Sequence, residues 1–164
     1  MEVASFTSAV ETNSEDLLAY FERRIDRHEE AADLLAEVLH IAWRRHRICP
    51  DDKVRARMWL YKIAANVLAN HRRAARRRTA LADRLREHLA TTGRDGPSEM
   101  SAAVADAVRA LPSEHRELVA LVHWDGFSIA EAAEILGVGA STARSRYAVA
   151  KASLRRRLEA GQTV

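Results

Sequence analysis

The stretch from Phe127 to Lys151, FSIAEAAEILGVGASTARSRYAVAK, constrains the fold more than any other part of the chain, because it reads as two short helices joined by a tight turn. Ser128 with Glu131 three residues later forms a capping box, which satisfies free backbone donors at a helix start. Ile129, Ala132, Ala133 and Leu136 then supply an apolar face. Gly137 can adopt the left-handed conformation that stops this helix and turns the chain sharply. Ser141 suits the N-cap of a second helix, whose apolar positions Ala143, Tyr147, Ala150 and Leu154 recur at helical spacing. Thr142, Arg144, Ser145, Arg146, Ala148 and Lys151 are left facing outward. Such a helix-turn-helix presents its second helix to the DNA major groove, where Arg and Ser can meet base edges and phosphates.

Composition bounds the remainder. A chain of 164 residues suits one domain or two small ones. Aromatic content is only 5%, charged content is 30%, and Ala, Leu, Arg and Glu dominate, so helices are expected throughout. The net charge of +3 hides a strong asymmetry. Residues 1–40 carry ten acidic and three basic side chains, whereas the other 124 carry thirteen acidic and twenty-three basic. One end should repel nucleic acid and the rest attract it. No apolar run is long enough to span a bilayer, and the acidic start lacks a signal-peptide pattern, so a cytosolic protein without direct membrane insertion is expected. Cys49 is the only cysteine, which excludes an intramolecular disulfide.

Along the chain, residues 1–13 read as a flexible tail. A helix is expected from Ser14, whose neighbours Glu15 and Asp16 suit an acidic first turn, to about His28, with Leu17, Leu18, Phe21 and Ile25 inward. The next, Glu29 to Arg45, should bury Leu34, Leu35, Val38, Leu39, Ala42 and Trp43 and carry Asp33 and Glu37 on another face. Pro50-Asp51-Asp52 makes His46 to Val54 a loop. A third helix has Met58, Trp59, Leu60, Ile63, Ala64, Val67 and Leu68 as its apolar band and continues into an arginine-rich end. Thr91 to Ser98, TTGRDGPS, has linker composition. The expected architecture is therefore all-α, with two small helical domains joined by a flexible linker: a first domain over 14–82, a linker over 83–100, and over 101–160 a four-helix domain containing the helix-turn-helix. Its first two helices are expected at Met100 to Leu111 and Ser113 to Asp125. There is no internal repeat.

Both halves resemble one family. ADLLAEVLHIAWRR (Ala32 to Arg45) followed by WLYKIAANVLANHRR (Trp59 to Arg73) is similar to the second conserved region of bacterial sigma factors. The segment from Val108 to Leu158 is similar to their fourth region, and the short connection between the two matches the extracytoplasmic-function group of the sigma-70 family. The resemblance implies a chain that binds core RNA polymerase, recognises the −10 and −35 promoter elements and promotes DNA melting.

The resemblance also implies roles for residues. Asp33, Leu34 and Glu37, with Leu35 packed behind, would dock on the clamp helices of the largest polymerase subunit. The loop His46 to Val54, including Arg47, Asp52 and Lys53, would read an unstacked base of the −10 element, with Trp59, Lys62 and Asn66 near the upstream duplex edge. Arg72, Arg73, Arg76, Arg77 and Arg78 would form a cationic rail for phosphates. In the second domain, Arg144, Ser145 and Arg146 would enter the major groove at the −35 element, with Ser141 and Thr142 near a phosphate and Lys151 on the backbone. The Arg155-Arg156-Arg157 run is either a further backbone contact or a solvated helix end. An anti-sigma factor is an expected partner, and binding to polymerase would place the protein on the nucleoid. Ala36, Ser141 and Val149 stand where the family commonly carries Gln, Gly and Arg, so the promoter sequence does not carry over. No cofactor and no catalytic constellation is expected; His46 and Cys49 have a zinc-like spacing, but no second pair answers them. The alternative reading is a stand-alone helix-turn-helix regulator that never engages polymerase. More distant is a sigma mimic that sequesters an anti-sigma factor.

Overall fold

The structure, a computed structural model, describes residues 3–25, 27–86 and 102–161. Within them lie seven α-helices, and no strand is present among the described residues: α1 (Val3–Glu22), α2 (His28–Arg44), α3 (Lys53–Arg86), α4 (Ala102–Arg109), α5 (Ser113–His123), α6 (Ile129–Leu136) and α7 (Ala140–Gly161), with a short 3₁₀ turn at His46–Ile48. Two compact units result, Met1–Gly96 and Pro97–Val164. Most of the expected linker, from residue 87 onward, lies outside the described residues; its first four positions, 83–86, are the last turn of α3.

In the first unit α1, α2 and α3 pack against one another in all three pairings. Tyr20 of α1 sits edge-on to Tyr61 of α3 at 5.4 Å, and both are completely buried. Leu17, Phe21, Ala31, Val38, Ala42, Leu60, Ala64, Val67 and Leu68 complete a core that excludes water. Fully burying each large apolar side chain contributes about 1.5–3 kcal/mol, so this three-helix contact supplies most of the unit's stability.

Two expectations here are corrected. The first helix starts at Val3, not near Ser14, and residues 3–13 are helical. The reason is local: Thr12, Asn13 and Ser14 turn their side chains back to donate to the carbonyls of Ser8, Ala9 and Val10 at 2.8, 2.7 and 2.6 Å. Polar side chains that favour caps are thereby absorbed within the helix, and Phe6 becomes a buried core residue. The second correction is Trp43, expected in the core of α2 but 53% exposed. Successive helical residues are about 100° apart, so with Ala42 fully inward its neighbour is turned to the flank. Leu35 and Leu39 are likewise only half-buried.

In the second unit α4, α5 and α6 all contact α7. Leu111, Val119 and Ala150 form a buried cluster, with Tyr147 and Leu154 packed against it. Arg116 ties the α4–α5 turn, donating from Nη2 to the carbonyls of Arg109 and Leu111 at 2.8 and 3.0 Å. The capping box of α6 is formed in both directions: Glu131 N–H donates to Ser128 Oγ, and Ser128 N–H donates to the Glu131 carboxylate. Gly137 ends α6 at φ 67° and ψ 32°, the left-handed geometry the turn requires. The following helix opens at Ala140, so Ser141, expected at its N-cap, lies within its first turn.

Candidate nucleic-acid interface

Helix α3 concentrates positive charge. From residue 53 to residue 78 it carries nine Lys or Arg side chains and no carboxylate. At about 100° per residue, Trp59, Lys62, Asn66, Asn70, Arg73 and Arg77 fall on one face of it, a strip about 27 Å long. Lys62, Asn66, Asn70, Arg73 and Arg77 are exposed along this strip and Trp59 is half-buried. The amide oxygen of Asn70 accepts from Arg73 Nη2 at 2.5 Å, which fixes the guanidinium over the same face. Arg76 is exposed on the flank of this strip, Arg78 is exposed but turned away from it, and Arg72 is half-buried. Of the expected arginine rail, then, only Arg73 and Arg77 share the strip with Asn66.

At the head of α3 the connection from α2 is short and anchored. His46 Nδ1–H donates to the Trp43 carbonyl at 2.8 Å, and the two rings stack at 5.3 Å. Arg47, Lys53 and Val54 are exposed, as is Ile48. Asp52 is engaged in holding the helix: its Oδ1 accepts from Arg55 N–H at 2.9 Å, capping the first turn. Cys49, within this loop, is buried; burial, with help from the nearby Asp51 charge, raises the pKa of its thiol. Among the described residues no group of three or more His, Cys, Asp or Glu is placed to hold a metal ion.

On α2, Asp33 and Glu37 are exposed and share a face, with Ala36 exposed beside them. Leu34 is buried in the core behind that face. Any part Leu34 has in docking is therefore to support the helix from within.

Helix α7 turns Arg144 and Arg146 to different sides. Ser141, Arg144, Ser145 and Ala148 line the outer side, all exposed, whereas Ala143 and Ala150 are fully buried opposite. Residues two apart on a helix are about 200° apart, so Arg144 and Arg146 cannot project together into one groove floor. Arg146 is turned toward α5, where Nη2 meets the Glu114 carboxylate at 2.6 Å. Thr142 and Lys151 are exposed on the flanks, and Val149 is 53% exposed.

The two halves match two described protein regions in order: "Sigma-70 region 2" over residues 9–78 and "Sigma-70, region 4" over residues 101–154. Over 135 residues the chain is 32% identical to the ECF RNA polymerase sigma factor SigL of Mycobacterium tuberculosis, spanning 79% of this chain and 75% of SigL. The chain belongs to the extracytoplasmic-function group of the sigma-70 family. It is a promoter-recognising RNA polymerase sigma factor.

This sigma factor is also 30% identical over 162 residues to the RNA polymerase sigma-E factor of Streptomyces coelicolor, covering 97% of this chain and 89% of that one. Its fold is that of RpoE from Bartonella quintana, solved with the anti-sigma factor NepR, with a TM-score of 0.75 at 22% identity over 96% of this chain and 98% of the other.

Two residues that shape the candidate site escape a reading of the sequence. Asn70 was detectable, since it lies four residues beyond Asn66 on the same face. Glu114 was not, because its partner Arg146 is thirty-two residues away in sequence and only the packing of α5 on α7 joins them.

Proposed function

We propose that this sigma factor grips promoter DNA at two places with different chemistry. The α3 strip of Lys62, Asn66, Asn70, Arg73 and Arg77, with the loop His46 to Val54 at its head, takes the −10 element and holds an unstacked base of the non-template strand. Extruding that base costs a few kcal/mol, which the loop and the cationic strip offset once the duplex opens. The outer side of α7, led by Arg144 and Ser145 and flanked by Ser141, Thr142 and Lys151, takes the −35 element as intact duplex. Asp33 and Glu37 on α2 meet basic groups on the clamp helices of the polymerase's largest subunit, where opposite charge steers association.

The observation that supports this reading is the unmixed positive charge of α3, nine cations and no carboxylate between residues 53 and 78, against ten acidic and three basic side chains in residues 1–40 of the same unit. That division gives one small domain a DNA side and a polymerase side. An anti-sigma factor that covers those faces is the expected regulator, and the cytoplasm, on the nucleoid when polymerase-bound, the expected place of action. No helix among the described residues is long and apolar enough to cross a membrane.

Mapping transcription start sites after overexpression tests the proposal. It predicts a new set of starts sharing two short upstream motifs at fixed spacing. New starts without a shared upstream motif would contradict it.

A further inference from the structure

Phe6 lies three residues before the segment that matches sigma-70 region 2, which begins at residue 9. Yet it is only 4% exposed. Its ring centroid is 6.0 Å from that of Trp43 and 6.0 Å from that of His46, tilted to both at 57° and 60°. Trp43 and His46 in turn stack on each other, and His46 is tied to the Trp43 carbonyl. Three rings from three places in the chain thus meet where α2 gives way to the loop: Phe6 from the first turns of α1, Trp43 from the last turn of α2, and His46 from the 3₁₀ turn. Aromatic pairs at 4.5–7 Å in tilted or offset geometry add stabilisation beyond the area they bury. Phe6 is the buried member, and the other two are the exposed or half-exposed ones.

We propose that Phe6 is a positioning residue for capture of the unpaired −10 base: it underpins the Trp43–His46 stack and so fixes where the His46–Val54 loop begins. The inference rests on that loop being the base reader. A loop holding a single flipped base has to present its groups without paying to order them at each encounter. His46 is the loop's first residue, and its ring is held by Trp43 on one contact and by Phe6 on another. Removing the Phe6 ring leaves the stack standing on the helix end alone, free to shift, while α3, α7 and the acidic face of α2 keep their places.

The test uses holoenzyme assembled from core polymerase and the full chain. The probe is a fork DNA whose duplex carries the −35 element and whose single-stranded non-template −10 segment carries 2-aminopurine beside each tested position. Wild type is compared with Phe6→Ala and with Phe6→Leu, which keeps the apolar bulk and protects against simple loss of folding. The expected result for Phe6→Ala is a loss of about tenfold in discrimination among the four bases at one −10 position, the worth of one good base contact. The 2-aminopurine signal of the unstacked base should fall with it, and Phe6→Leu should restore part of both. Binding to core enzyme and to −35 duplex should stay within about twofold, as for independent sites. Unchanged discrimination in Phe6→Ala overturns the proposal and leaves the loop's role intact. A parallel loss of core and −35 binding also overturns it, since the effect is then general to the fold. If wild type itself shows no discrimination at any −10 position, the base-reading role of the loop fails first and the role of Phe6 with it.

Discussion

Arg146 of α7 and Glu114 of α5 form an ion pair of 2.6 Å that ties the second helix of the helix-turn-helix to the helix preceding that motif, where α5 packs on α7. Glu114 is well exposed and Arg146 partly so; such pairs contribute about 0–1 kcal/mol, so the contact matters less for stability than for where the guanidinium points. Glu114→Gln should leave thermal stability nearly unchanged and release Arg146 toward DNA phosphates. The salt dependence of duplex binding should then steepen by about 0.9 in log–log slope, the signature of one added phosphate contact. An unaltered slope in a salt titration would show that Arg146 does not move.

Arg144 has the opposite geometry, exposed on the outer side of α7 beside Ser145. Arg144→Ala should cost about 1–3 kcal/mol of −35 binding and flatten preference at one base pair. Arg146→Ala should instead weaken all duplexes alike and only slightly. Titrating both variants against −35 duplexes with single base-pair changes distinguishes the two residues; equal, base-specific losses would refute their separation.

The turn of the helix-turn-helix hinges on Gly137 at φ 67°. A Cβ built there meets nothing within 4 Å, so the cost of Gly137→Ala is purely that of the left-handed backbone, about 1–2 kcal/mol. For a unit this small the melting temperature should fall by roughly 4–8 °C per kcal/mol. A melting temperature that is unchanged or higher would mean that the turn relaxes out of this conformation.

Cys49 is buried, and its thiol pKa is raised above the ordinary thiol value by desolvation first and by the Asp51 charge second. Folding therefore favours the protonated thiol. Its contribution is fully present below the unfolded pKa and is lost as pH rises through the folded pKa, because the unfolded chain ionises more readily. Native protein should react slowly with a thiol reagent at neutral pH and quickly once denatured. Cys49→Ala should show a smaller alkaline loss of stability than wild type. Rapid labelling of the native state would contradict the burial.

Much of this was legible in the sequence where local chemistry decides the outcome. The Ser128–Glu131 box, the Gly137 stop and the apolar row Ala143, Tyr147, Ala150 and Leu154 involve neighbours a few residues apart, and the structure has them as the spacing implies. The start of α1 was not legible, although Phe6, Val10 and Leu17 keep helical spacing, because Thr12-Asn13-Ser14 reads as a cap signal unless the side chains bond backward. Trp43 departs from its expected place for a related reason: an apolar residue at a helix end can belong to the core or to a flank, and only the partners it meets, here Phe6 and His46, decide. The orientation of Arg146 depended on a carboxylate from another helix. Long-range partners of this kind leave no periodic trace in the chain.

Run-off transcription with purified core polymerase tests the central claim most directly. With this chain added to core enzyme on a template carrying a mapped promoter, a single promoter-dependent transcript is predicted, lost when either the −10 or the −35 element is scrambled. Retained sequence-specific DNA binding with no promoter-dependent transcript would contradict the account.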